Sequence, residues 1–219
     1  MDISAQIVHI GIVLGVILLS MTLHEAMHAF MGYFLGDDTA KAQGRLTLNP
    51  IKHIDPFMTI LLPVILALTP GAPIFGGAKP VPFNPNRVRY GDWGAALVAI
   101  AGPLTNFLIA FLAFGIGVLS GVITSQGVET TLVGQIIMLT MSVNLGFFVF
   151  NMLPIPPLDG SRVLYAFAPE TVRRGMEMIE RYGVMVVFAI VLIASPVISQ
   201  IMITCMNAII SLFTALFSV

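Results

Sequence analysis

The chain has 219 residues, 57% of them hydrophobic and only 10% charged, with a formal net charge of −1. Soluble domains carry about 25% charged residues, so this composition, with a mean hydropathy of +0.96, excludes an ordinary soluble protein and points to an integral membrane protein. The charge balance gives nucleic acid no footing, and the single cysteine, Cys205, excludes an intrachain disulfide and an all-thiolate metal site.

The first apolar segment runs from about Ile3 to Leu35 and stops at Gly36, ahead of Asp37 and Asp38. It has no basic leader and no clear cleavage site, so a retained first helix is expected. The polar stretch from Asp37 to Pro56 alternates weakly around "GRLTLNP", which predicts a short strand. From Phe57 to Gly77 the chain is apolar but interrupted by Pro63, Pro70 and Pro73. The segment "AKPVPFNPNRVRYGDW" that follows reads as an extended polar loop. Two uninterrupted helices are expected next, from about Trp93 to Leu119 and from about Leu132 to Leu153. The prolines and glycine of "PIPPLDGSRV" then break the chain. Pro169 to Arg181 reads as an interfacial amphipathic helix. The apolar tail from Tyr182 to Val219 is too long for one straight span and is expected as two helical pieces. No repeat and no separate soluble domain is visible, so residues 1–219 read as a single intramembrane domain. The fold class is an all-α polytopic membrane protein, a transmembrane helix bundle with a re-entrant, strand-containing segment on its cytoplasmic side.

Positive charge orients the spans. Lys41, Arg45, Lys52, Lys79, Arg87 and Arg89 fall between the first helix and the one starting near Trp93, and Arg162, Arg173, Arg174 and Arg181 follow the helix ending at Leu153. Placing both groups in the cytoplasm brings the first helix inward toward its C-terminal end. It also makes Phe57–Gly77 enter and leave from the cytoplasmic side, which its prolines suit if protein shields the freed backbone.

The chemistry lies in "HEAMH". His24 and His28 are four apart on a helix and share a face, so two imidazoles can hold one Zn²⁺. Glu25, about 100° round the helix, can act as general base on water at the metal. Three ionisable groups in five residues at bilayer depth carry a cost that points to function rather than packing. A catalytic zinc site needs a third protein ligand and an open position. His9 lies several turns away, His53 sits in the polar loop, and Asp159 lies just past the cytoplasmic end of its helix, at the membrane level of the histidines. There Gly160 is expected to permit a tight turn that lets the carboxylate point back into the bundle.

"HEAMH", "AGPLTN" at 101–106 and "NMLPIPPLDG" at 151–160 resemble, in order, the motifs of the site-2 protease family of intramembrane zinc metalloproteases. "NPIKHIDPF" and "GGAKPVPFNP" are similar to loop signatures of its compact prokaryotic members. The resemblance covers about residues 10–165. It implies that His24, His28 and Asp159 bind one zinc, that Glu25 activates the water, and that the substrate is a membrane-embedded peptide segment of another protein in a prokaryotic cell membrane. It places an active-site asparagine at Asn151, whose amide would hold the substrate backbone or a developing oxyanion. Asn106 is a second candidate for such a role, against a plain interhelical hydrogen bond. Gly102 and Pro103 suit close packing and a local bend. A helical substrate must unwind before cleavage, and the "GGAKPVPFN" segment is a candidate to hold it by strand addition, against an ordinary connecting loop. Family members often carry a PDZ or CBS domain; the absence of both here leaves regulation and substrate choice open. Two rivals stand beside this reading: a metal transporter using the same ligands in transit, which the lack of repeated halves disfavours, and an inactive relative serving as a scaffold.

Overall fold

The computed structural model describes residues 3–61, 64–65, 68, 77–183, 185–186, 189 and 194–219. Helix α1 spans Ile3–Phe34, followed by a one-turn helix α2, Thr39–Ala42. Then come α3, Asp92–Leu119, and α4, Leu132–Asn151, joined through a small antiparallel hairpin of β1, Ile123–Thr124, and β2, Gly127–Val128. The chain continues with α5, Asp159–Phe167, α6, Glu170–Glu180, and α7, Ser195–Phe217. Among the described residues, α1, α3, α4 and α7 are long and apolar enough to cross a membrane. The protein is a polytopic helical membrane protein. The first piece of the expected two-part tail lies largely outside the described residues.

Helix α3 is the hub, packing against α1, α4, α5 and α7. Its buried positions are mostly small: Gly94, Ala95, Ala96, Ala99, Ala101, Gly102, Ala110 and Ala113. Lipid offers apolar side chains as much contact as a neighbouring helix does, so close backbone approach through small residues is what holds such a bundle. At the other end of α3, Phe107, Phe111 and Phe114 make ring contacts with Phe213 and Phe217, which anchors an otherwise exposed α7.

The expected strand near "GRLTLNP" is absent; residues 45–49 form bends and irregular backbone. Alternation needs a partner strand, and here tertiary hydrogen bonds take its place. The Thr47 carbonyl accepts from His53 Nε2 at 2.9 Å, and the Arg45 guanidinium donates to the Lys79 carbonyl at 2.6 Å. The strands that do form lie in the 120–131 link. The Phe57–Gly77 segment begins with a single π-helical turn, Pro56–Leu61. Its two ends are tied together: Gly77 N–H donates to the Met58 carbonyl at 3.0 Å, and Thr59 Oγ donates to the Gly77 carbonyl at 2.6 Å. The chain therefore returns to where it left. Most of the intervening path lies outside the described residues.

Helix α1 ends at Gly36, whose φ of +107° is one only glycine tolerates well. Asp37 then joins that end to the segment beyond residue 77. Its carboxylate accepts from Thr39 N–H at 3.0 Å, Thr39 Oγ at 2.5 Å and Asn84 N–H at 2.8 Å. Burial pushes this carboxyl up, but the Asn84 N–H, the Thr39 hydroxyl and N–H, and the Arg87 charge outweigh it and hold the carboxyl below its usual value. A depressed carboxyl stabilises the fold fully above its unfolded value of about 3.9. That contribution is lost as pH falls through the folded value. Asp37→Ala is expected to cost about 2 kcal/mol at neutral pH, the worth of hydrogen bonds to a charged group. Thermal melting of both proteins in detergent should show the difference shrinking as pH drops below about 4.

Candidate metal centre

His24, Glu25 and His28 lie in the second half of α1, on the side facing α3. His24 and Glu25 are buried and His28 is half-buried. The ligand-type atoms of the three lie within 4.8 Å of one another. Asp159 reaches them from α5. Its Oδ2 is 3.2 Å from His24 Nε2 and 3.4 Å from His28 Nε2, and the two Nε2 atoms are 2.9 Å apart.

The hydrogen bonds on the far sides of the rings decide what this triangle is. His28 Nδ1 lies 2.7 Å from the Val98 carbonyl, which can only accept, so Nδ1 carries the proton. His24 Nδ1 lies 2.5 Å from Asn106 Oδ1, so it too carries the proton. Both Nε2 atoms are therefore bare lone pairs in the neutral rings, aimed at each other and at a carboxylate oxygen. With neutral rings, three acceptor atoms converge, an arrangement that a shared cation, a proton or a metal ion, relieves. Donors about 2.0–2.2 Å from a tetrahedral zinc are separated by about 3.3 Å, which is the size of this triangle. The residues fit a zinc ion held by three protein ligands.

Asp159 is placed by packing. It is the first residue of α5, after the prolines have ended the chain's run from α4. Gly160 has no positive φ, so the expected tight turn is not its role. Glycine is required because a Cβ there would lie 2.8 Å from the Leu153 carbonyl oxygen and closer still to that of Met152. This close approach seats the start of α5 on the end of α4 and turns Asp159 toward α1.

Gly102 does the same for the histidines. A Cβ at this position would lie 2.7 Å from His24 Nε2 and 2.6 Å from His28 Cε1. Neither ring can swing aside without giving up its hydrogen bond to Asn106 or Val98. Gly102→Ala is expected to weaken zinc binding by at least about tenfold, the effect of disturbing ligand orientation. Alanine is also the better helix former, so the melting of the metal-free protein should not fall in proportion.

Glu25 is held by the segment after residue 77: its Oε2 accepts from Val81 N–H at 2.8 Å. The backbone around Val81 has no regular secondary structure and no strand partner among the described residues. Asn106 is fully buried, with its amide spent on His24, Asn144 and Ser20. Its burial and its bonds leave it no free amide group for a substrate. Asn151 closes α4 and donates to the Phe147 carbonyl of its own helix at 3.0 Å; no hydrogen bond among the described residues joins it to the cluster. His53 turns its Nε2 to Thr47 and shares no metal-ligating cluster among the described residues. Asn144, Ser20 and the Val81 N–H are site features that the sequence patterns did not expose. The one available signal was Asn144 itself, an amide inside an apolar span that must find partners.

The profile of peptidase family M50 matches residues 12–194. The chain belongs to peptidase family M50. This is the family of the site-2 proteases, and the match takes in all of "HEAMH", "AGPLTN" and "NMLPIPPLDG". A Bacillus subtilis protein named "Putative zinc metalloprotease YwhC" is 41% identical over 210 residues, covering 92% of this chain and 90% of the relative. A Mycolicibacterium smegmatis protein named "Putative zinc metalloprotease Rip2" is 29% identical over 195 residues, covering 88% and 71%. Its namesake in Mycobacterium tuberculosis is 28% identical over 184 residues, covering 83% and 66%. No solved structure matches the chain.

Proposed function

We infer that this protein is an integral-membrane zinc metalloendopeptidase of the site-2 protease type, acting on peptide bonds in or near transmembrane segments of other membrane proteins. The observation that carries the reading is the convergence of three ligand-type atoms, from His24, His28 and Asp159, beside the carboxylate of Glu25. In this reading His24, His28 and Asp159 hold one zinc ion. When bound, the metal polarises the scissile carbonyl and acidifies the attacking water. Glu25 takes the proton from that water and returns it to the leaving amine. Val81 N–H restrains one Glu25 oxygen, so the other is left for the attacking water. Asn151 keeps one amide hydrogen for the substrate backbone or the oxyanion. The backbone around Val81 is outside any helix or strand and leaves Ala78 and Phe83 without hydrogen-bond partners among the described residues, which leaves them free to pair with an unwound substrate.

The residues form a single intramembrane domain over 1–219 in a prokaryotic cell membrane, with the site toward the cytoplasm. The basic segments that flank it on the C-terminal side of α1 support this orientation, and water reaches the site from that face. A transporter would have no use for a carboxylate restrained by a backbone N–H beside its ligands. The test is hydrolysis of a membrane-inserted helical peptide by the purified protein in liposomes, before and after metal removal by a chelator. Cleavage should stop on removal and return with Zn²⁺. Cleavage that persists in the metal-free protein refutes the assignment.

A further inference from the structure

Resting on the zinc reading above, we propose that Asn144 is a positioning residue for the metal centre: through Asn106 it fixes the tautomer of His24 that leaves Nε2 bare for the cation. His28 needs no such help, because the Val98 carbonyl sets its tautomer directly. His24 faces an amide instead, and an amide can turn either its oxygen or its nitrogen to the ring. Something must choose.

The choice begins at a backbone carbonyl of α4. Asn144 lies 2.8 Å from the Thr140 carbonyl. That oxygen only accepts, so the Asn144 atom beside it is Nδ2, which also donates to Ser20 Oγ at 2.8 Å. Asn144 Oδ1 therefore faces Asn106, and the Asn106 atom 2.8 Å away must be its Nδ2. With its nitrogen so committed, Asn106 has only Oδ1 left for His24 Nδ1. Ser20 and His24 are four apart on α1, so the circuit returns to the helix it serves. Asn106 and Asn144 are wholly buried and Ser20 nearly so, so the network is shut off from bulk solvent.

A residue serving only to join helices needs a single partner across the interface. Asn144 meets both α1 and α3, and every one of its bonds points to the same orientation of Asn106. Without it, Asn106 Nδ2 keeps only the Ser20 carbonyl at 3.5 Å. The amide can then turn over and present its NH₂ to His24 Nδ1. That stabilises the ring with the proton on Nε2, the nitrogen that must carry none to bind metal.

The experiment is zinc affinity by chelator competition on the full chain in detergent, for wild type, Asn144→Leu, Asn106→Ala and the double variant, with melting of each metal-free protein as the folding control. Asn144→Leu is expected to weaken zinc binding about 10- to 100-fold, the range for groups behind a ligand. In the Asn106→Ala background the same change should add less than about threefold, because the route through Asn106 is already gone. A zinc affinity for Asn144→Leu within twofold of wild type overturns the proposal, as does an equal loss in both backgrounds. Wild type that binds no zinc overturns it together with the metalloprotease reading, whereas wild type that binds while Asn144→Leu is unaffected overturns only this. If Asn144→Leu does not fold, Asn144→Ser, which keeps a polar group but cannot reach Asn106, is read by the same criteria.

Discussion

Alanine at His24, His28 or Asp159 is expected to take the purified protein from about one zinc per chain to essentially none, since a catalytic site with three protein ligands has none to spare. The two histidines and the aspartate come from different helices, yet the prediction is the same for each. Among the described residues, the other metal-type side chain grouped with the histidines is Glu25. Glu25 is the nearest carboxylate, and its Oε2 is engaged by Val81 N–H. Metal analysis of each variant checks this. Zinc that survives Asp159→Ala would move the third ligand elsewhere and separate the structural triangle from the metal site. The three losses should also differ in their effect on folding. His24→Ala strips Asn106 Oδ1 of its partner in a fully buried place, and an unsatisfied buried group costs about 1–3 kcal/mol. Asp159 sits at the start of a helix with part of its side chain exposed, and its loss should be milder.

How far the sequence reaches into this arrangement depends on the range of each interaction. His24, Glu25 and His28 are legible because helical geometry alone places residues four apart on one face. The spans α1, α3 and α4 are legible because their apolar runs stop at strong signals: Gly36 for α1, the Gly91–Asp92 junction for α3, and Thr131 and the prolines after Asn151 for α4. Asp159 required a further step, the positive charges that set both helix ends at one membrane level, together with the family motif. Beyond that the signals fade. Gly102 reads as packing, and only the bundle reveals that the space it leaves is the space in front of two imidazoles. Asn106 and Asn144 look alike in sequence, as amides inside apolar helices. What separates them is which neighbour each meets across α1, α3 and α4. The strand expected at residues 45–49 shows the reverse failure. A local alternation was present, but the backbone found its partners in His53 and the Lys79 carbonyl, and pairing never arose.

Glu25→Gln is expected to lower peptide hydrolysis by at least about 10²-fold, and by as much as 10⁴-fold, with zinc content unchanged. The substitution is nearly isosteric, and the amide oxygen can still accept from Val81 N–H, so the segment beyond residue 77 should keep its place over the site. What changes is proton transfer. A carboxylate at this position can take a proton from the attacking water and hand it to the amine as the peptide bond breaks; an amide can do neither. Glu25→Ala is a poorer test, because it also frees the Val81 N–H that the carboxylate holds and confounds chemistry with position. Zinc content and melting should therefore match wild type in Glu25→Gln and need not in Glu25→Ala. Wild-type rates in a Glu25→Gln protein that retains its zinc would remove Glu25 from the chemistry. Its buried carboxylate and its bond to Val81 would then serve only to fasten the segment beyond residue 77 to α1.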